Sequence, residues 1–178
     1  MKQILPILTL TTLSAAAFAD AGAAAPAAAS GLVYNRVTVQ QTTSGDRNRV
    51  VSVSNLINGS NVLVELSQSY YQNVGNTGTS YNGVVSIGYV FKNVTNGIDA
   101  TVSITSGQND GVSINLRRSL SEVLAGLEVA VGYEKYSHQG NLWNYEVAYN
   151  INKQFSVAFG AYNFQNDNTK AVSVRYNY

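Results

Sequence analysis

The chain has no cysteine, one histidine, two prolines and very few charges. Without cysteine there can be no disulfide framework, thiolate metal site, thiol catalysis or acylated N-terminal cysteine. A single histidine cannot build a multi-histidine metal centre within one chain. Charged residues make up 12% of the 178 residues while 45% are hydrophobic, against about 25% charged in a typical soluble domain. Eleven Lys and Arg balance ten Asp and Glu. That leaves no basic face for phosphates and excludes a nucleic-acid binder. No phosphate-binding glycine loop, paired CxxC or calcium loop occurs, so no cofactor is expected.

The N-terminus reads as an address. Met1-Lys2-Gln3 is positive, Ile4 to Ala19 is uncharged and mostly apolar, and Ala17-Phe18-Ala19 offers small residues where a signal peptidase cuts. The stretch of 16 residues contains Pro6 and falls short of the ~20 that span a bilayer. A signal peptide is therefore expected over 1–19, with cleavage before Asp20. Residues 20–30, DAGAAAPAAAS, read as an Ala-rich flexible tether, because they lack apolar periodicity and carry Pro26. Loss of Lys2 leaves ten charges of each sign. No later stretch is apolar enough for a membrane helix, yet charge is too sparse for an ordinary soluble surface.

From residue 31 to 178 the chain divides into ten segments rich in Val, Ile, Thr and Tyr, separated by Asn/Gly/Ser/Asp clusters: 31–42, 49–57, 62–71, 81–91, 98–105, 112–120, 127–136, 142–151, 154–164 and 171–178. In five of them the period of two is strict. Ile98, Ala100, Val102 and Ile104 alternate with Asp99, Thr101, Ser103 and Thr105. Trp143, Tyr145, Val147, Tyr149 and Ile151 alternate with Asn144, Glu146, Ala148 and Asn150. Segments 127–134, 155–162 and 171–178 behave alike. Each strand thus has one oily and one wet face. A soluble barrel turns the oily face inward, and a membrane barrel turns it outward to lipid. The wet face holds Ser, Thr, Asn, Gly and Ala rather than long Lys and Glu, which suits a crowded interior better than a solvated exterior.

Aromatic residues gather near strand ends. Tyr70, Tyr81, Tyr133, Trp143 and Tyr145, with Tyr162 and Phe164, lie toward one end, and Tyr89, Phe91, Tyr149, Phe155 and Tyr176 toward the other. Such bands mark the two membrane–water interfaces. Tyr34 and Phe159 depart from the pattern. Ten residues at ~3.3 Å each, tilted about 40°, cover roughly 25 Å, the height of an outer-membrane apolar band.

With these features the chain resembles the small outer-membrane β-barrel proteins of Gram-negative bacteria. The terminal strand Ala171-Val-Ser-Val-Arg-Tyr-Asn-Tyr178 resembles their sorting signal, with Tyr176 and Tyr178 at the positions read by the barrel-assembly machinery. The resemblance implies a closed up-and-down antiparallel transmembrane barrel, delivered across the inner membrane to the outer membrane. Its partners would be outer-membrane lipid and, during biogenesis, that machinery. Both termini would face the periplasm. Turns at 58–61, 92–97, 121–125 and 152–153 would then be periplasmic, with short outer loops at 43–48, 72–80, 106–111, 137–141 and 165–170. Ten strands are expected. Eight remain open, because Asn35, Asn55 and Gln68 interrupt the first three segments and invite a bulge or register shift.

With the oily face outward, the inward charges are Arg36, Glu65, Asp99, Arg117, Glu128, Glu134, Glu146 and Arg175. Hairpin arithmetic around Ser121–Ala125 makes Arg117 and Glu128 direct cross-strand neighbours, and Arg36 and Arg175 meet where the barrel closes. Two readings follow, a structural charge network filling the interior or a narrow, mildly cation-preferring pore. A lipid-modifying enzyme is a further alternative. Glu134, Ser137 and His138 are adjacent, but Ser137 and His138 would point to opposite sides of a strand, against triad geometry. A soluble secreted ligand-binding barrel follows if the faces are inverted. Oligomeric state is open.

Overall fold

A computed structural model describes residues 31–44, 47–72, 79–107, 110–137, 140–164 and 167–178. The signal peptide expected over 1–19, the tether over 20–30 and His138 lie outside the described residues. The chain folds into ten strands: β1 (Arg36–Thr42), β2 (Arg47–Leu56), β3 (Val62–Gln72), β4 (Thr79–Thr95), β5 (Ile98–Gly107), β6 (Gly111–Ser119), β7 (Leu127–Tyr136), β8 (Gly140–Asn150), β9 (Phe155–Phe164) and β10 (Asp167–Asn177). Each pairs antiparallel with its sequence neighbour, and β1 pairs with β10 from Arg36↔Asn177 to Thr42↔Ala171, closing the sheet into a barrel.

The period of two places the faces as the sequence implies. Ile104 is 63% exposed, Val147 50% and Val174 52%, while Asp99 is 1% and Ser173 4% exposed. The oily residues therefore cover the outside and their alternates turn inward. Inverted faces, which a soluble ligand-binding barrel requires, are contradicted by this exposure.

The departures from expectation have local causes. Strand β1 starts at Arg36 rather than residue 31, because residues 31–35 leave the wall and turn into the interior. Asn55 and Gln68 provoke no shift: β2 and β3 stay in continuous register from Arg47↔Gln72 to Leu56↔Leu63. The irregularity lies instead in β4, between Phe91 and Thr95. There Asn93 takes a positive φ of 50°, and its side-chain oxygen accepts from the Gly97 amide at 2.9 Å. The expected turn at 92–97 thereby shrinks to Asn96-Gly97, with φ of 47° and 75°. Two left-handed residues match the twist of the flanking strands.

The wider 120–126 turn is tied by Leu120 N–H to the Leu127 carbonyl at 2.8 Å. It ends at Gly126, whose φ of 84° and approach to the Asn150 carbonyl leave no room for a side chain.

Small inward residues make space for larger ones opposite. A Cβ at Gly132 would fall on the Asn144 carboxamide and within 2.8 Å of Asn115 Nδ2. One at Gly160 would come within 2.9 Å of the Tyr162 ring. These side chains fill the space beside the two glycines. Gly132→Leu is therefore expected to lower unfolding stability by ~1–3 kcal/mol through overpacking. Gly83→Ala, on an open stretch of β4 with nothing within 4 Å, should leave it unchanged. Urea titration of the refolded barrel in detergent compares the two.

Candidate functional site

The interior end at which the described chain begins at Gly31 and ends at Tyr178 is built around Asp99, Arg117 and Glu128. Asp99 sits one residue into β5 and faces Arg117 of β6 in register. It accepts from the Asn93 amide at 2.8 Å, an arrangement the irregular end of β4 makes possible. Arg117 donates to Glu128 at 2.8 Å, and both side chains are 8% exposed. Glu128 also accepts from Asn150 Nδ2 at 2.7 Å. The expected register of this pair is corrected. Glu128 lies opposite Ser119, and Arg117 opposite Ala130. The 120–126 turn spans more residues than a minimal hairpin, so the pair meets diagonally through the length of the arginine.

Residues 31–35 complete this site. Asn35 binds at the rim, its Oδ1 accepting from the Leu56 amide at 2.8 Å and its carbonyl from the Tyr178 amide at 3.2 Å. The Tyr34 carbonyl accepts from Ser54 Oγ at 2.7 Å. Its hydroxyl reaches Asp99 Oδ2 at 2.7 Å, and the Arg117 guanidinium lies 5.0 Å from its ring centroid. Burial pushes the Tyr34 phenol well above its ordinary pKa, partly opposed by Arg117 and reinforced by the bond to Asp99, so it remains a proton donor. The Val33 carbonyl accepts from Arg117 Nη1 at 3.2 Å. Leu32 and Tyr34 form a buried apolar cluster with Leu56 and Val90, flanked by Leu63. Charge-based reasoning missed this segment. Its signals in the sequence were Tyr34, which fits neither aromatic band, and Asn35, which breaks the alternation.

Farther along the interior the remaining charges form smaller groups. Arg175 of β10 pairs with Glu146 of β8. Glu134 accepts from Tyr136 and, at 3.0 Å, from Asn144 Nδ2. Arg36 and Glu65 face the same interior level, each opposite Ser54 of β2, and Glu65 is hydrogen-bonded to Ser52. Arg36 Nη1 and Arg175 Nε are buried without a hydrogen-bond partner among the described residues. Tyr162, grouped by sequence with the aromatic band, instead points inward and donates to Gln40 Oε1 at 2.9 Å.

Phe164 shares the inward register of Tyr162 on β9, and the remaining band residues occupy outward register positions. Tyr133 stacks against Trp143 at 4.8 Å, Tyr89 against Phe91 at 4.8 Å and Phe155 against Tyr176 at 5.3 Å. Tyr145 and Tyr149 are exposed on β8, and Tyr70 faces Tyr81 across β3 and β4. The Tyr178 hydroxyl donates to the Ser54 carbonyl at 3.2 Å. Ser137 Oγ donates to the Asp110 carbonyl at 3.0 Å, so its hydroxyl and the Glu134 carboxylate serve different partners.

A closed ten-strand sheet with an exposed apolar belt and ion pairs turned inward defines a porin-type outer-membrane β-barrel fold. Comparison with solved structures gives the particular likeness. The chain is similar to the KdgM porin at 14% identity and a TM-score of 0.51, over 80% of this chain and 99% of that one. It is also similar to the KdgM porin in complex with disordered oligogalacturonate, at 14% identity and a TM-score of 0.56 over the same shares. The NanC porin aligns at 11% identity and a TM-score of 0.48, over 80% of this chain and 98% of that one. No family profile matches the chain, and no curated protein matches it by sequence.

Arg117→Ala strands Glu128 and is expected to cost ~3–5 kcal/mol, the penalty of an uncompensated buried charge. The exposed Arg118–Glu122 pair at 2.9 Å, with side chains 40% and 52% exposed, should change stability by less than about 1 kcal/mol when Arg118 is replaced by Ala. Urea unfolding of both variants provides the contrast.

Proposed function

We propose that the protein is an integral outer-membrane barrel with a passive role, a structural element or narrow pore with a polar, partly salt-bridged lumen. The observation that carries this reading is the exposed apolar belt around a closed sheet, with Asp99, Arg117, Glu128 and Arg175 buried on its inner face. Lipid offers no partner to a free strand edge, so a sheet spans a bilayer only when closed. Aromatic pairs such as Tyr133–Trp143 and Phe155–Tyr176 suit the two interfaces. Tyr176 and Tyr178 serve as the signal for the assembly machinery, and residues 1–19 as the export signal.

The lumen carries Glu65, Asp99, Glu128, Glu134 and Glu146 against Arg36, Arg117 and Arg175, an acidic excess that favours cations. The KdgM porin was solved with an oligogalacturonate. The acidic excess here makes a polyanionic solute a poor fit. The unpartnered N–H groups of Arg36 and Arg175 call for water in the lumen, since buried donors are costly when unsatisfied. A passive barrel also accounts for a Ser137 hydroxyl held by a main-chain carbonyl rather than by a catalytic base.

The mature chain is expected to fractionate with the outer membrane, to require detergent for extraction and to migrate on SDS gels differently before and after boiling. Recovery in buffer without surfactant would overturn the reading. Val147→Arg, on the belt, should cost about 2–4 kcal/mol and reduce the folded band, whereas Ser173→Thr, facing inward, should fold normally.

A further inference from the structure

We propose that residues 31–35 are an internal gate. Docked, they close the periplasmic mouth of the barrel. Undocked, they open a water-filled, weakly cation-selective passage. This rests on the outer-membrane reading above and adds to it a resting state that is shut.

The segment turns from the rim into the mouth of the barrel. Asn35 is held at the rim between β10 and β2, whereas the Val33 carbonyl is held by Arg117 of β6. Strand β6 stands five strands from β1 in both directions around the ring, on the opposite wall. The main chain turns inward over residues 35 to 33, and the Arg117 side chain reaches from the far wall to meet it in the opening. Leu32 and Tyr34, 3% and 6% exposed, fill it against Leu56 and Val90.

The attachment differs in kind from the wall. Strands are joined by continuous ladders, whereas the Val33 and Tyr34 carbonyls are held by the side chains of Arg117 and Ser54, the Tyr34 hydroxyl by Asp99, and Leu32 and Tyr34 join one small apolar cluster. Elements without ladder bonds open at lower free energy than the sheet that holds them. Undocking of residues 31–34 leaves β1 paired from Arg36 onward, with Asn35, bonded to the Tyr178 amide, as the hinge at the rim. Release of Tyr34 leaves its partners hydrated in the mouth: Asp99, and Arg117 still paired with Glu128. The floor then keeps the acidic bias of the lumen above it, which selects for cations.

Single-channel recording in planar bilayers tests the gate on the full mature chain in KCl. Wild type should be closed for most of the record. The Leu32→Gly/Tyr34→Gly variant should raise the open fraction about tenfold or more, with a reversal potential on the cation side under a KCl gradient. Tyr34→Phe keeps the ring and loses only the bond to Asp99, so it should lie between the two. Boiled and unboiled SDS gels establish that each variant is folded. Folded variants with the open fraction of wild type, whether all are open or all are closed, overturn the gate and leave the outer-membrane reading intact. Absence of any heat-modifiable, membrane-inserted form of the wild type removes that reading and the gate with it.

Discussion

Closure of the sheet between β1 and β10 is the constraint on which everything else depends. A sheet edge in hydrocarbon leaves a row of N–H and C=O groups unpaired, each costing several kcal/mol. Seven register pairs from Arg36↔Asn177 to Thr42↔Ala171 abolish that edge. Once the sheet is closed, alternation divides every strand between two solvents. The outside can be Val, Ile, Phe and Tyr, and the few charges that remain are carried mainly by the inner face and the rims. The low charge content of the chain is the compositional trace of this division.

Inside, ion pairs form across the wall and contacts reach toward the axis. Arg117 joins Glu128 on the next strand, the Tyr34 ring and the Val33 carbonyl. Arg175 reaches past β9 to Glu146 on β8. Glycines at 132 and 160 admit Asn144 and Tyr162 where two full side chains would collide. The terminal mouth is more apolar than the rest because Leu32, Leu56 and Val90 meet there. The segment that precedes β1 thus acquires an anchored position.

Much of this was legible in residue order. The strict alternation of 98–105, 143–151 and 171–178 defines both faces, and the Asn/Gly clusters mark the hairpins. The limits appear where side-chain reach competes with register. Arg117 and Glu128 were expected as direct neighbours and instead meet on a diagonal, because turn 120–126 adds residues without preventing a long guanidinium from reaching its partner. Asn55 and Gln68 looked like interruptions requiring a bulge, yet the ladder through β2 and β3 is continuous. Backbone pairing across a whole strand outweighs one polar side chain. Tyr162 was grouped by position along the chain when its even parity already placed it inside.

The chain order alone determined the architecture. Periodicity of two is a local property, and ten such segments with short polar connections admit few closed solutions. Tertiary structure alone decided what fills the barrel. Residues 31–35 carry no strict alternation, and the partners of Val33 and Tyr34 lie on β2, β5 and β6, up to 84 residues away. Only closure of the wall brings those strands around a common axis, so contacts across that axis cannot be read from the spacing of residues along the chain.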